Sequence, residues 1–270
     1  MSNLTVGITG EKGTLGKIVC KKLNQKGIKV HPFGGDVCSD HDIDSWVKAE
    51  EMDAIIHFAA IVPTKDVEDD PALANEVNVE ATRKIIEKLI ENHKKPWFFY
   101  ASSSHVYASS SSPIKESDPT IPMNLYGQTK LAAEHELMRL EKKFIGTICI
   151  GRIFSFYHET QDSNFLYPAI KQRLENHDPN LPFELFGADN ERDFLNAEEV
   201  VDKIMNLYDF RAQGTINIGS GKSTRVEDFV RKVFNIPTLK IKNINEGERN
   251  MLVADITKYE QIIAKELKFA

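Results

Sequence analysis

Three glycines spaced three apart, Gly10, Gly13 and Gly16, restrict what this chain can fold into more than any other feature. The run Leu4-Thr5-Val6-Gly7-Ile8 before them is short and apolar, as a buried strand requires. A helix-like pattern through Ile18, Val19 and Leu23 follows them. A strand, a glycine turn and a helix in that order make a cradle for phosphate. Gly10 permits the tight turn, Gly13 lets the backbone approach a diphosphate, and Gly16 lets helix and strand pack closely. Thr14 and Leu15 open the helix, whose free N–H groups and positive dipole end face the same ligand. The bland alternative is a glycine-rich connection that holds nothing.

The rest of the chain extends the pattern. Gly27 stops the first helix, and Ile28-Lys29-Val30-His31 reads as a second strand. In dinucleotide folds an acid at this strand's tip binds the 2′-hydroxyl of NAD, and a nearby basic residue accommodates the 2′-phosphate of NADP. No acid stands at this tip, and Lys12 in the glycine turn could reach a 2′-phosphate, which leans the reading to NADP(H) over NAD(H). Lys12 could equally be a solvated turn residue. Asp36, followed by Val37, could bond an adenine amino group or could be a turn acid.

Residues 54–60 form a buried strand ending in Phe58-Ala59-Ala60, small enough at its end for a cofactor to lie on the backbone. His57, isolated in apolar surroundings, reads as a satisfied core histidine. Over residues 75–93, Val77, Ala81, Ile85 and Leu89 fall on one helix face, with Asn78 beside the stripe, where it could bond cofactor or backbone. Residues 97–101 are the next strand. It runs into Ser102-Ser103-Ser104-His105-Val106-Tyr107, and then the serine run 109–112, with the composition of a mobile loop. A long helix opens at Tyr126, and residues 144–150 form another apolar strand. This alternation predicts an α/β, Rossmann-type, doubly wound parallel sheet over residues 1–154. Beyond it the alternation loosens around Pro168, Pro179 and Pro182. Residues 155–270 read as a smaller C-terminal substrate-binding lobe, part of which returns to the core; within it 198–207 reads as a helix and 214–218 as a short strand.

Composition excludes several classes. The formal net charge of −6 advertises no face for nucleic acid. The three cysteines suit neither a CxxC motif nor a metal site, which points to a reduced cytoplasm. No apolar run approaches the roughly 20 residues that span a membrane. The first strand starts too near Met1 to leave room for a signal peptide.

Tyr126 and Lys130, four apart on one helix face, join a serine at a neighbouring strand end as a proton-transfer device. A phenol has a reference pKa of about 10. An ammonium at ~4 Å contributes roughly 4 kcal/mol at an effective dielectric of ~20, up to about three pKa units. Tyr126 could then take a proton from an alcohol, or return one to a ketone, with Ser103 holding the substrate oxygen. Lys130 would also fix a nicotinamide ribose.

These motifs together resemble the extended short-chain dehydrogenase/reductase family, the group of nucleotide-sugar epimerases, dehydratases and 4-keto reductases. The matching stretches also include Asn78-Val79, Arg152-Ile153-Phe154, Phe186-Gly187, Arg192-Asp193-Phe194 and Asn217-Ile218-Gly219-Ser220-Gly221, so the resemblance covers nearly the whole chain. It implies a Ser103-Tyr126-Lys130 triad, a cofactor lined by Gly10, Gly13, Gly16, Asp36, Asn78 and Phe154, and substrate contacts at Ser104, Asn164 and Arg192. It also implies a homodimer paired through the helices near residues 77–89 and 131–140, which carry more apolar residues than one buried face needs. Three departures stand out. Ser104-His105 occupies the place of the dehydratases' Asp-Glu pair. No arginine falls at the diphosphate-gripping spacing around residues 243–248, Arg249 being displaced. The chain is also short for the family. The expected activity is reduction of a 4-keto sugar nucleotide. The alternatives are a 4-epimerase and a non-catalytic NAD(P)-binding sensor or scaffold.

Overall fold

The computed structural model describes residues 4–244 and 250–266. The chain runs β1 (Thr5–Thr9), α1 (Thr14–Gln25), β2 (Lys29–Pro32), α2 (Asp40–Ala49), β3 (Ala54–His57), α3 (Thr64–Asp69), α4 (Pro71–Asn75), a π turn (Glu76–Glu80), α5 (Ala81–Glu91) and β4 (Trp97–Ser103). A 3-10 turn (Ser104–Val106), α6 (Leu125–Glu141), β5 (Thr147–Ile153), β6 (Ser155–Tyr157), α7 (Leu166–Glu175), β7 (Phe183–Leu185), β8 (Glu191–Arg192) and β9 (Phe194–Asn196) follow. The last elements are α8 (Ala197–Asp209), β10 (Gly214–Ile218), β11 (Thr224–Arg225), α9 (Val226–Val233), β12 (Ile241–Asn243), β13 (Met251–Leu252) and α10 (Thr257–Glu266).

Six parallel strands form the central sheet in the order β10-β5-β4-β3-β1-β2. The order doubles back at β1, with β2 on one side and β3 on the other, so a crevice opens at the carboxyl ends of β1 and β3. Both faces are covered. Ala54, Ile56, Trp97 and Phe99 pack with α1 and α8 on one face. Ile55, Phe98 and Tyr100 pack with α2, α5 and α6 on the other. This two-sided burial is why the strands read as unbroken apolar runs. In α1, Leu15, Val19 and Leu23 repeat every four residues on the buried face, and Gly27 beyond the last turn has φ +70°, which ends the helix.

The remaining elements make the smaller unit. Ile170 of α7, Phe183 and Leu185 of β7, and Val226, Phe229 and Val230 of α9 form its own apolar cluster. The division at residue 154 is not a clean cut in space, because α8 and β10 rejoin the sheet.

Four local expectations are corrected. The helix expected over 75–93 contains the π turn at its start. The strand expected from residue 144 begins at Thr147, because Phe144 still closes the last turn of α6 through its N–H to Leu140 O. The serine run is pinned rather than free: Ser110 N–H donates to Met251 O at 3.0 Å and Met251 N–H to Ser109 Oγ at 3.2 Å. The surplus apolar face of α5 and α6 is absent. Ile85, Ile86 and Leu89 and, from α6, Ala133, Leu137 and Leu140 are buried within this chain, while Met138 is 43% exposed. Leu131 packs on the cluster of Val106, Tyr107 and Ile114. The outer surface of the two helices carries Arg83–Glu87, Arg139–Glu87 and Arg139–Glu136 ion pairs instead. The apolar argument for a dimer therefore lapses.

Cys20, Cys38 and Cys149 are free thiols. Among the described residues no helix is long and apolar enough to cross a membrane, and no cluster of His, Cys, Asp or Glu could hold a metal ion.

Candidate active site

The glycine turn is built by exclusion. Gly10 has φ +73°, and a Cβ there would lie 2.7 Å from Ala59 N. A Cβ on Gly16 would lie 2.2 Å from Gly10 O, so α1 can only approach β1 this closely without one. Gly13 is the N-cap of α1, with no side-chain cap and no acid in the first turn. The helix therefore presents uncapped N–H groups to the crevice, as a diphosphate requires. The cradle fits a dinucleotide.

A cavity of about 770 Å³ opens above it. Its walls include Gly10, Lys12, Gly13, Thr14, Leu15, Gly16, Phe58, Ala59, Ala60 and Phe154, together with Ser103, Ser104, Tyr126, Lys130 and Asn164. The structure thus brings most of the candidate residues to one place.

Ser103 ends β4, Tyr126 opens α6, and Lys130 follows one turn later. Asn124 caps α6 by accepting Gly127 N–H at 2.8 Å. A Cβ on Gly127 would lie 2.2 Å from His105 O, so this glycine lets the helix start against the strand end. The His105 N–H donates to Ser103 Oγ at 3.2 Å, and Ser103 in turn hydrogen-bonds the Tyr126 hydroxyl.

The electrostatics depart from the simple expectation. Lys130 Nζ stands over the ring of Tyr100, 4.7 Å from its centroid, and 6.0 Å from the centroid of Tyr126. Both side chains are stripped of water. Burial pushes Tyr126 up to about 12, with the Ser103 bond working against it. Burial pulls Lys130 down to about 7, with Glu134 working against it. Desolvation outweighs the ammonium's attraction for a phenolate, so the protein by itself keeps Tyr126 protonated.

Two buried polar chains support this wall. Behind Lys130, the Glu134 carboxylate accepts from Ser102 Oγ and from Arg152 Nη2 at 2.6 Å. Arg152 Nη1 also donates to Tyr107 Oη at 2.7 Å, and Tyr107 donates to Asn217 Oδ1 at 2.9 Å, which ties α6, β5 and β10 together. Glu134 continues the Tyr126–Lys130 spacing by another four residues, a signal that could have found it.

The second chain starts at the cradle. Ala59 N–H donates to Thr9 Oγ1 at 3.2 Å, and Thr9 lies 2.6 Å from His57 Nδ1. His57 Nε2 lies 2.9 Å from Thr82 Oγ1, which donates to Asn78 O. Thr82 has spent its proton, so His57 Nε2 donates and Nδ1 accepts. His57 is the satisfied core histidine expected, and burial holds it neutral, down at about 3.

Four candidates stand outside the cavity lining. Asn78 is consumed within the protein, accepting from Ile61 N at 2.8 Å and donating to Ile61 O and Thr129 Oγ1. Asp36 accepts Cys38 N–H at 2.9 Å in a turn, so its turn role is the one the structure displays. Val37 packs against the apolar cluster of α2 and α5. Arg192 is half-buried, donating to Glu191 O at 2.8 Å and Asn250 O at 3.3 Å. Arg249 lies outside the described residues.

The model of the NAD dependent epimerase/dehydratase family matches residues 6–219. The UDP-glucose 4-epimerase of Halalkalibacterium halodurans is 25% identical over 264 residues, covering 88% of this chain and 78% of its own. Among solved structures, RMD from Pseudomonas aeruginosa complexed with NADPH superposes with a TM-score of 0.85 at 21% identity, over 97% of this chain and 92% of its own. The UDP-glucose 4-epimerase of Thermus thermophilus complexed with NAD gives 0.83 at 18% identity, over 96% and 92%. At these identities the structures speak for the fold. The family match covers most of the chain, which therefore belongs to the NAD dependent epimerase/dehydratase family.

Proposed function

We propose that this enzyme is an NAD(P)-dependent nucleotide-sugar 4-epimerase. The observation that carries the reading is the likeness to a UDP-glucose 4-epimerase over most of both chains. The 4-keto reductase expected from the sequence would use the same three side chains, and the relatives favour the epimerase. A nicotinamide dinucleotide bound on the glycine cradle would accept hydride from the sugar and return it.

The chain's own residues do the rest. Gly10, Gly13, Thr14 and Leu15 hold the diphosphate, Lys130 holds the nicotinamide ribose, and Phe58, Ala59, Ala60 and Phe154 wall the cofactor. Ser103 holds the sugar oxygen. Tyr126 Oη takes the proton from that oxygen and gives it back to the same oxygen once the keto sugar has turned its other face to the returning hydride. A neighbouring positive charge would stabilise its phenolate and lower its pKa from about 12. Ser104 and Asn164 contact the sugar nucleotide, with the half-buried Arg192 drawing the diphosphate. Exposed Lys12 in the turn favours the 2′-phosphate of NADP(H). A reducing cytoplasm suits the three thiols.

Denaturing the purified protein and identifying the nucleotide released tests the reading. Tightly held NAD⁺ or NADP⁺ is expected, because an epimerase regenerates its cofactor within one turnover. Empty protein that binds NADPH reversibly would favour the reductase. Protein that binds neither would remove the cradle's assignment.

A further inference from the structure

His105 lines the cavity but belongs to neither the triad nor the cradle. Its ring stands edge-on to Tyr126, with centroids 5.7 Å apart and planes at 80°. Its carbonyl accepts Met123 N–H at 3.2 Å, which fixes the backbone. Its Nδ1 lies 3.2 Å from Asn124 Nδ2.

The orientation of Asn124 is set by a separate bond, since Oδ1 accepts Gly127 N–H and caps α6. Nδ2 therefore faces the ring, and an amide nitrogen only donates. His105 Nδ1 must present its lone pair, so the imidazole proton sits on Nε2. An imidazolium would set N–H against N–H and break the ring contact or the cap. Among the described residues, the titratable and charged groups that face the ring are Tyr126 from α6 and Arg192 from β8. Burial, with the Arg192 charge, holds His105 below the ordinary histidine range.

We propose that His105 is a substrate-contacting hydrogen-bond donor, offering Nε2–H from the cavity wall to a sugar oxygen beside the carbon that Tyr126 serves. This rests on the nucleotide-sugar reading above. A neutral N–H suits a hydroxyl or keto oxygen, which has lone pairs to give. It cannot serve as a base, because one nitrogen already carries the proton and the other is engaged by Asn124. Elimination of water from a keto sugar needs a base to take a proton from carbon. His105 therefore selects for reactions in which the sugar keeps its hydroxyls.

The test uses the full chain with NAD⁺ and, in parallel, NADP⁺ as cofactor and UDP-glucose as probe. Nitrogen-15 NMR of histidine-labelled protein, with the signal assigned by its loss in His105→Gln, should show the Nε2–H tautomer of the neutral ring, which gains a second proton only at a pH below that of a free histidine. His105→Leu should lower kcat about 10–100-fold with a much smaller change in KM. His105→Gln, which keeps an N–H donor, should recover most of the loss, and both variants should bind NAD⁺ as wild type does. An Nδ1–H tautomer, or an undiminished kcat in His105→Leu, overturns the proposal. If wild type leaves UDP-glucose unconverted, the epimerase reading falls, and NMR decides this one. A shift of the Nε2–H signal on adding UDP-glucose keeps the donor, and an unmoved signal removes it.

Discussion

The two walls of the cavity are built in opposite ways. On the sheet side, Ser103, Tyr126 and Lys130 are nearly sealed from water, at 8%, 8% and 3% exposure. Each sits at the end of a long strand or on a long helix, and Glu134, Arg152 and Tyr107 brace them from behind. On the lobe side, strands are two or three residues long, Asn164 is exposed, and the rings of Phe156, Tyr157, Phe165, Tyr167, Phe194 and Phe229 line the cavity. The difference teaches a division of labour. Proton transfer needs fixed, desolvated groups, and under the proposed function it falls to the sheet. Recognition tolerates adjustment, and under the same proposal it falls to the small elements of the lobe.

Changes on the sheet wall should therefore abolish chemistry while leaving binding. Tyr126→Phe removes the proposed proton carrier and little volume. Turnover should fall at least about 1,000-fold, with NAD(P)H affinity by fluorescence within a few-fold of wild type. Retained turnover would move the proton chemistry to another residue. Gly127→Ala comes next, because its methyl meets the His105 carbonyl, which has no room to move. It should cost about 3 kcal/mol in urea unfolding. An unaffected Gly127→Ala would mean α6 can back away from β4.

The seam between the walls should be weaker than the sheet and stronger than the lobe. Buried Asp193 accepts from Ser220 N–H and Oγ–H at 2.7 Å, Gly221 N–H at 2.9 Å and Ala254 N–H at 3.2 Å. It ties the start of β9 to the turn after β10. Asp193→Asn sets an amide N–H among those donors and should cost about 2–3 kcal/mol. Lys130→Met should do the reverse. The lysine titrates at about 7 in the fold against 10.5 for the free side chain. Between those values the unfolded chain binds a proton that the folded chain does not, so the penalty is full below 7 and fades as pH rises toward 10.5. The variant should gain on the order of 2 kcal/mol at pH 6 and almost nothing near pH 10. A loss at pH 6 would show that the lysine holds the wall together rather than straining it.

The same contrast governs what could be read from the sequence. β1, α1 and the glycine turn were legible because apolar spacing and backbone exclusion leave few alternatives. That Ser103, Tyr126 and Lys130 come together was legible from a four-residue spacing beside a serine-bearing strand. Glu134 is hidden in the sequence, because a glutamate in a helix usually faces water, whereas α6 buries its Tyr126–Lys130–Glu134 stripe. Asn78 was open between cofactor and backbone, and only the π turn decides that its amide closes on Ile61. In the lobe, α7 was hidden by Pro168, which a first helical turn tolerates. Strands of two or three residues carry no period to detect. Local pattern reports elements whose stability is local, and the lobe's elements exist only by packing on one another.

Phe229 tests that last point with the smallest change. It is buried, stacks on Phe194 with centroids 3.9 Å apart, and meets Tyr157 edge-on at 5.1 Å, while all three rings line the cavity. Phe229→Leu keeps most of the volume and removes the flat face, so stability should fall by less than about 1.5 kcal/mol. If the lobe recognises and the sheet reacts, KM for UDP-glucose should rise about 2–5-fold while kcat holds. A fall in kcat at constant KM would mean that the aromatic face positions the reacting carbon against Tyr126. Chemistry would then be shared between the walls, because a ring in the lobe would be setting the distance across which a proton on the sheet must move.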